Sequence, residues 1–283
     1  MVKIIADSTC DLSKDLLEKY DISILPLHIL LGEDEYRDGV NILPKEIYDW
    51  SDAHKTTPKT SAPSIEEAME LLKPYVDEGR EVVCFSISEE MSACGNVMRM
   101  AAEELSGTQL VKVVNSGSLS TGIGLLVVEA AIMAKDGKNA ETITKRMEEL
   151  KPLVRASFVV DTLVYLHRGG RCSGLAAMAG GVLKLHPRIV VENGKMHPGK
   201  KYRGQLNKVI MSYVMDMEEA LKQAKEDRVF ITHSGCDREL VEQVRTYLKS
   251  LEHFDEIHET IAGGVISSHC GPGTLGVLFI SDH

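Results

Sequence analysis

Apolar residues fall in seven runs along the chain, at Val2–Ala6, Ser23–Leu31, Val82–Ile87, Leu110–Val114, Ala156–Val160, Val229–His233 and Leu275–Ile280. They are rich in Val and Ile, continuous rather than alternating, and bounded by turn residues, which predicts strands covered on both faces, as in parallel sheets. Helical patterns lie between them. Ser64 and Glu67 form a Ser-x-x-Glu capping box ahead of Ala68–Leu72. Gly124–Lys135 is apolar on nearly every side and predicts a buried helix, whereas Thr142–Leu150, Met217–Lys225 and Asp237–Leu251 are amphipathic. Strand and helix alternate as far as about residue 150, as right-handed βαβ units and a doubly wound sheet require.

After Lys151-Pro152 the texture changes: glycines cluster at Gly169, Gly170, Gly174, Gly180 and Gly181, and Glu192–Lys195 predicts a hairpin around Asn193-Gly194. The expected fold is therefore α/β with two α/β domains. Residues 1–155 form the N-terminal one, with a mainly parallel doubly wound sheet. Residues 156–283 form the C-terminal one, with a mixed sheet and helices. The ligand pocket is expected between them.

The bulk numbers narrow the function. At 283 residues the chain suits two domains sharing one core. Its net charge is -10, with no Lys/Arg-rich run, so nucleic-acid binding and stable docking on anionic membranes are disfavoured. Aromatics make up only 5%, which argues against a base-stacking platform. The apolar start is too short for a signal-peptide core, and no stretch approaches membrane-spanning length, so a cytoplasmic location is expected. Six scattered cysteines without a CxxC pair suggest free thiols and no metal site.

Four segments carry candidate chemistry. Asp7–Leu12 follows the first strand, at the end of a strand where α/β folds hold ligands, although Ser8, Thr9 or Asp11 starting a helix through Lys19 accounts for the same pattern. Thr60-Ser61-Ala62-Pro63-Ser64 sets two hydroxyls before a helix start, a combination that receives anions or simply caps. Ser92 and the backbone after it form either another anion nest or a cap. Arg168–Arg171 and the late His269–Gly273 segment join arginine forks and a histidine to glycines that permit close approach. Walker-type, zinc-protease and nucleophile-elbow motifs are absent, and Gly117–Gly124 lacks dinucleotide-loop spacing.

In this order and spacing the segments resemble the DegV family over essentially the whole chain. They include Asp7–Leu12, Thr60–Ser64, Asn115-Ser116 with Ser120, Gly122 and Gly124, and Asp161–Arg171. Lys201–Gly204, His233–Gly235 and His269–Gly276 complete the set. The resemblance implies a bacterial, cytoplasmic, non-catalytic carrier of one long-chain fatty acid, similar to the binding subunit of fatty-acid kinase. It needs no cofactor, and a separate ATP-dependent kinase subunit phosphorylates the carboxylate to an acyl phosphate. Transient membrane contact and no nucleic-acid partner are also implied. By the same resemblance Thr60, Ser61, Ser92, Ala93 and His269 hold the carboxylate, and Arg171 and Arg203 stand at the pocket mouth or face the kinase. The tunnel lining is assigned to Gly124–Lys135 and to the 175–185 region. Where the family usually reads Ser-Gly-Thr this chain has Ser92-Ala93-Cys94, and Asn115 replaces the usual Asp. The alternative is a hydrolase or transferase that acts on an acyl or phosphoryl substrate through Ser92 and His269.

Overall fold

The structure, a computed structural model, describes residues 1–172 and 185–283. The N-terminal half runs β1 (Lys3–Asp7), α1 (Lys14–Lys19), β2 (Ile22–Leu25), β3 (His28–Leu31), β4 (Asp34–Arg37), α2 (Pro44–His54), β5 (Lys59–Ser61) and α3 (Ile65–Asp77). It continues with β6 (Val82–Ser86), α4 (Cys94–Glu104), β7 (Val111–Asn115), α5 (Thr121–Lys135) and α6 (Ala140–Leu150). The C-terminal half opens with β8 (Val154–Val159), α7 (Val164–Gly169), β9 (Leu185–Glu192), β10 (Lys195–Arg203), α8 (Leu206–Met215) and the single turn α9 (Glu218–Leu221). It ends with β11 (Arg228–His233), α10 (Arg238–Ser250), β12 (Glu256–Ile261), α11 (Gly264–Cys270) and β13 (Leu275–Ile280).

Strands β2-β1-β6-β7 form a wholly parallel sheet, and β10-β9-β8-β13-β11-β12 form a mixed one. Both are the α/β sheets expected. The chain leaves β1 towards β2 on one side and later returns to β6 on the other. This strand-order reversal opens a crevice beyond the carboxyl ends of β1 and β6, the usual ligand position in such sheets. Helix α5 packs against β1 on one side and against β8 and β13 on the other, which explains its near-complete burial. One apolar core therefore runs across both sheets, and a second lies under the outer face of the mixed sheet.

Some local expectations need correction. The run Ser23–Leu31 is two strands, because Pro26 supplies no N–H to a ladder and interrupts it. The second of them, β3, belongs to a small antiparallel sheet of order β4-β3-β5. Asp7 caps a 3-10 turn at Ser8–Cys10, and it is Ser13, not Ser8, Thr9 or Asp11, that caps α1. The helix expected at Met217–Lys225 is only the turn α9; the longer α8 precedes it. The hairpin is where it was expected, with Asn193 and Gly194 both at positive φ, 51° and 77°, as a tight primed turn demands.

Candidate functional site

Beyond the end of β6, in the crevice, lies a narrow cleft of about 30 Å³. Its walls include Thr60, Ile87, Met91, Leu119, Arg171 and His269. A second narrow cleft of about 20 Å³ shares Leu119, Ile266 and Cys270 with it and extends towards Phe158, Thr232 and Leu278 of the mixed sheet.

The polar end is built from two distant parts of the chain. Thr60 is held in β5 by pairing opposite Ile29. His269 stands one residue from the end of α11. Thr60 Oγ1 and His269 Nε2 lie 2.8 Å apart, across 209 residues of sequence. Burial, reinforced by the charge of Arg171, pushes His269 down to about 4, so the ring is neutral near pH 7. Its Nδ1 is buried and has no hydrogen-bond partner among the described residues. Gly169 packs against this ring so closely that a Cβ there would come within 2.4 Å of Nδ1.

The other sequence candidates are spread around this pair. Arg171 borders the cleft, and its guanidinium donates to the Gly169 carbonyl at 2.7 Å. Ser61 follows Thr60 in β5, opposite His28, and is exposed. Ser92 is half-buried before α4, and its hydroxyl accepts from Cys94 N at 3.3 Å. Ala93 is exposed at the N-cap position of α4. Neither Ser92 nor Ala93 walls either cleft, although the adjoining Met91 does. Arg203 is exposed at the end of β10, outside both clefts.

The apolar walls were not anticipated. No residue of Gly124–Lys135 lines either cleft; that helix is core. Of the 175–185 region, residues 175–184 lie outside the described residues, as do Gly174, Gly180 and Gly181. Leu119 and Ile266 had no signal in sequence that separates a cleft wall from ordinary core, whereas Cys270 falls within the His269–Gly273 segment. Among the described residues no group of three or more His, Cys, Asp or Glu could hold a metal ion, and no helix is long and apolar enough to cross a membrane.

Comparison with known proteins agrees with this architecture. The model of the DegV family, itself described as an uncharacterised protein family, matches residues 1–282. A DegV domain-containing protein of Deinococcus radiodurans is 31% identical over 277 residues, covering 98% of this chain and 97% of that protein. A DegV-family protein of Thermus thermophilus, described for its fatty-acid binding, superimposes with a TM-score of 0.87 at 29% identity, with 99% of each chain covered. A stearic-acid-binding protein of Eubacterium ventriosum gives 0.85 at 31% identity, covering 99% of this chain and 98% of that one.

Proposed function

The chain belongs to the DegV family, and from that premise we propose that it is a non-catalytic carrier that encloses one long-chain fatty acid and presents its carboxylate to a separate ATP-dependent kinase. The observation that carries this reading is a pair of apolar clefts that end on one neutral hydroxyl–imidazole pair. Burying an acyl chain contributes about 0.8 kcal/mol per methylene, which supplies ample gross driving force. Association and ordering consume part of it.

A buried carboxylate must still be satisfied. Thr60 and a neutral His269 offer donors to one of its oxygens while leaving the other open to a phosphoryl group. In this reading Ser92 adds a third polar contact when the ligand is bound, with Ser61 and Ala93 flanking it. Arg171 stands at the mouth, and Arg203 belongs to the kinase-facing surface. The clefts are narrow, so their walls part to admit the chain. The fatty-acid and stearic-acid binding described for the Thermus thermophilus and Eubacterium ventriosum proteins supports the ligand class. A bacterial cytoplasm, where kinase and ATP are at hand, is the setting that fits.

The hydrolase or transferase alternative has weaker support. The Ser92 hydroxyl is engaged with Cys94 N, the histidine's partner is Thr60, and no carboxylate orients Nδ1 among the described residues. The test is phosphorylation. With ATP and an extract containing the kinase, the loaded protein should yield hydroxylamine-sensitive acyl phosphate, and Arg171→Ala should lower that yield while sparing fatty-acid binding. Turnover of esters or acyl phosphates by the purified chain alone, abolished in Ser92→Ala, would establish the enzyme instead.

A further inference from the structure

The N-terminus of α11, the helix that carries His269, is gripped by two carboxylates from the N-terminal half. Gly263 N donates to Asp11 Oδ1 at 2.8 Å, and Gly264 N donates to Asp38 Oδ1 at 2.7 Å. The second oxygen of each is also held. Ser120 Oγ donates to Asp11 Oδ2 at 2.5 Å, and Ser8 Oγ donates to Asp38 Oδ2 at 2.9 Å. Ser8 Oγ in turn accepts from Leu27 N at 3.1 Å. Asp11 and Asp38 are only 6% and 2% exposed.

The joint has little play. A Cβ on Gly263 would sit 3.1 Å from Asp11 and 3.3 Å from Asp38, and one on Gly264 would meet Ile29 at 2.6 Å and Ile47 at 2.9 Å. Keeping two carboxyls dry is costly. Burial is the largest influence on both and pushes each upward in pKa, with the N–H and O–H donors opposing it. A single serine would cap a short helix without that penalty, so capping alone does not explain the pair.

Connectivity does. Asp38 directly follows β4, and β4-β3-β5 is the small sheet whose last strand presents Thr60. The contacts therefore close a ring: Thr60 through β5, β3 and β4 to Asp38, from Asp38 to Gly264, along α11 to His269, and from His269 Nε2 back to Thr60. We propose that Asp38, backed by Asp11, is a positioning residue that sets the spacing of Thr60 and His269 by tying the start of α11 to the sheet that carries Thr60. What that spacing serves, a carboxylate head group, rests on the function proposed above; the positioning itself does not.

The test uses the full-length protein and two readouts. The first is the imidazole ¹⁵N spectrum of His269 in the ligand-free protein, compared in wild type, Asp38→Asn and Ser8→Ala. The second is affinity for hexadecanoic acid against 1-hexadecanol, which shares the chain but not the carboxylate. Asp38→Asn should shift the Nε2 resonance and weaken the acid about tenfold, as loss of one bond to a charged group would, while the alcohol changes less than twofold. Ser8→Ala, which removes the outer support of Asp38 together with the acceptor of Leu27 N, should do the same to a smaller degree and keeps the test valid if Asp38→Asn does not fold. An unchanged His269 spectrum, or equal weakening of acid and alcohol, would overturn the proposal and leave the carboxylates as structural caps. A shifted spectrum in a protein that binds neither compound would keep the positioning role and refute the carrier.

Discussion

The two clefts are lined by similar residue types, yet their polarity differs. In the far cleft every hydroxyl is spent on the protein. Thr232 shares hydrogen bonds with Thr121 at 2.6 Å and Thr260 at 2.9 Å. Ser234 donates to the Gly271 carbonyl at 2.5 Å and accepts from Thr274 N at 3.0 Å. Thr274 Oγ1 donates to the Cys270 carbonyl at 3.0 Å. What such residues turn to the cavity is carbon, so that end suits a methyl terminus. At the near cleft, among the described residues, the Thr60 hydroxyl bonds only His269, and His269 Nδ1 bonds nothing. Polarity in a buried site is thus set by which hydrogen bonds remain unspent, and a count of serines and threonines does not reveal it.

Closing the passage between the two ends should have the largest effect. Ile266 lines both clefts, so Ile266→Trp should cost hexadecanoate about a hundredfold or more in affinity, roughly what four methylenes contribute. Octanoate, confined to the near cleft, should change less than tenfold by the same titration calorimetry.

The second effect is on stability. A free histidine titrates near 6.5, but folding holds His269 at about 4. As pH falls through this interval the unfolded chain takes up the proton first, so the histidine's contribution to stability declines from pH 6.5 towards 4 and is constant below. Buried Asp7, Asp11 and Asp38 are shifted upward and act with the opposite sign, so the difference between wild type and His269→Gln isolates the histidine. Denaturant titrations across that interval should show about 3 kcal/mol more pH-dependence in wild type.

The next pair contrasts the ends directly. Thr60→Val should weaken fatty-acid binding by about 1–3 kcal/mol and, because it also strands the buried His269 Nε2, should lower stability as well. Thr232→Val should lower stability by about 1–3 kcal/mol by stranding Thr121 and Thr260, but leave fatty-acid affinity almost unchanged. If both variants behaved alike, the distinction between spent and unspent hydroxyls would be lost. The smallest effect is expected at Arg203, exposed and outside both clefts. Arg203→Ala should alter fatty-acid affinity by less than about 0.5 kcal/mol while slowing kinase-dependent phosphorylation.

The legible parts of the fold are those governed by local chemistry. Continuous Val/Ile runs marked buried strands in both sheets, although β8 and β13 among them pair only antiparallel; Ser64 and Glu67 make the capping box they spell, and Asn193-Gly194 turns the hairpin. What escaped depends on the third dimension. Pro26 divides an apolar run between two sheets, and Gly263-Gly264 disguises the start of α11, a helix stable only through its packing and the carboxylates that cap it. Thr60 and His269 were singled out as candidates, but no periodicity relates two residues 209 apart. Cleft walls such as Leu119 and Ile266 have the composition of core, and only the space beside them distinguishes them.

Native mass spectrometry of the freshly purified protein, with lipid extraction of the same sample, tests the carrier function most directly. A fatty-acid carrier should show one added mass equal to a single long-chain fatty acid, lost on denaturation and recovered in the extract. A ligand-free mass that stays unchanged after incubation with mixed fatty acids would contradict it.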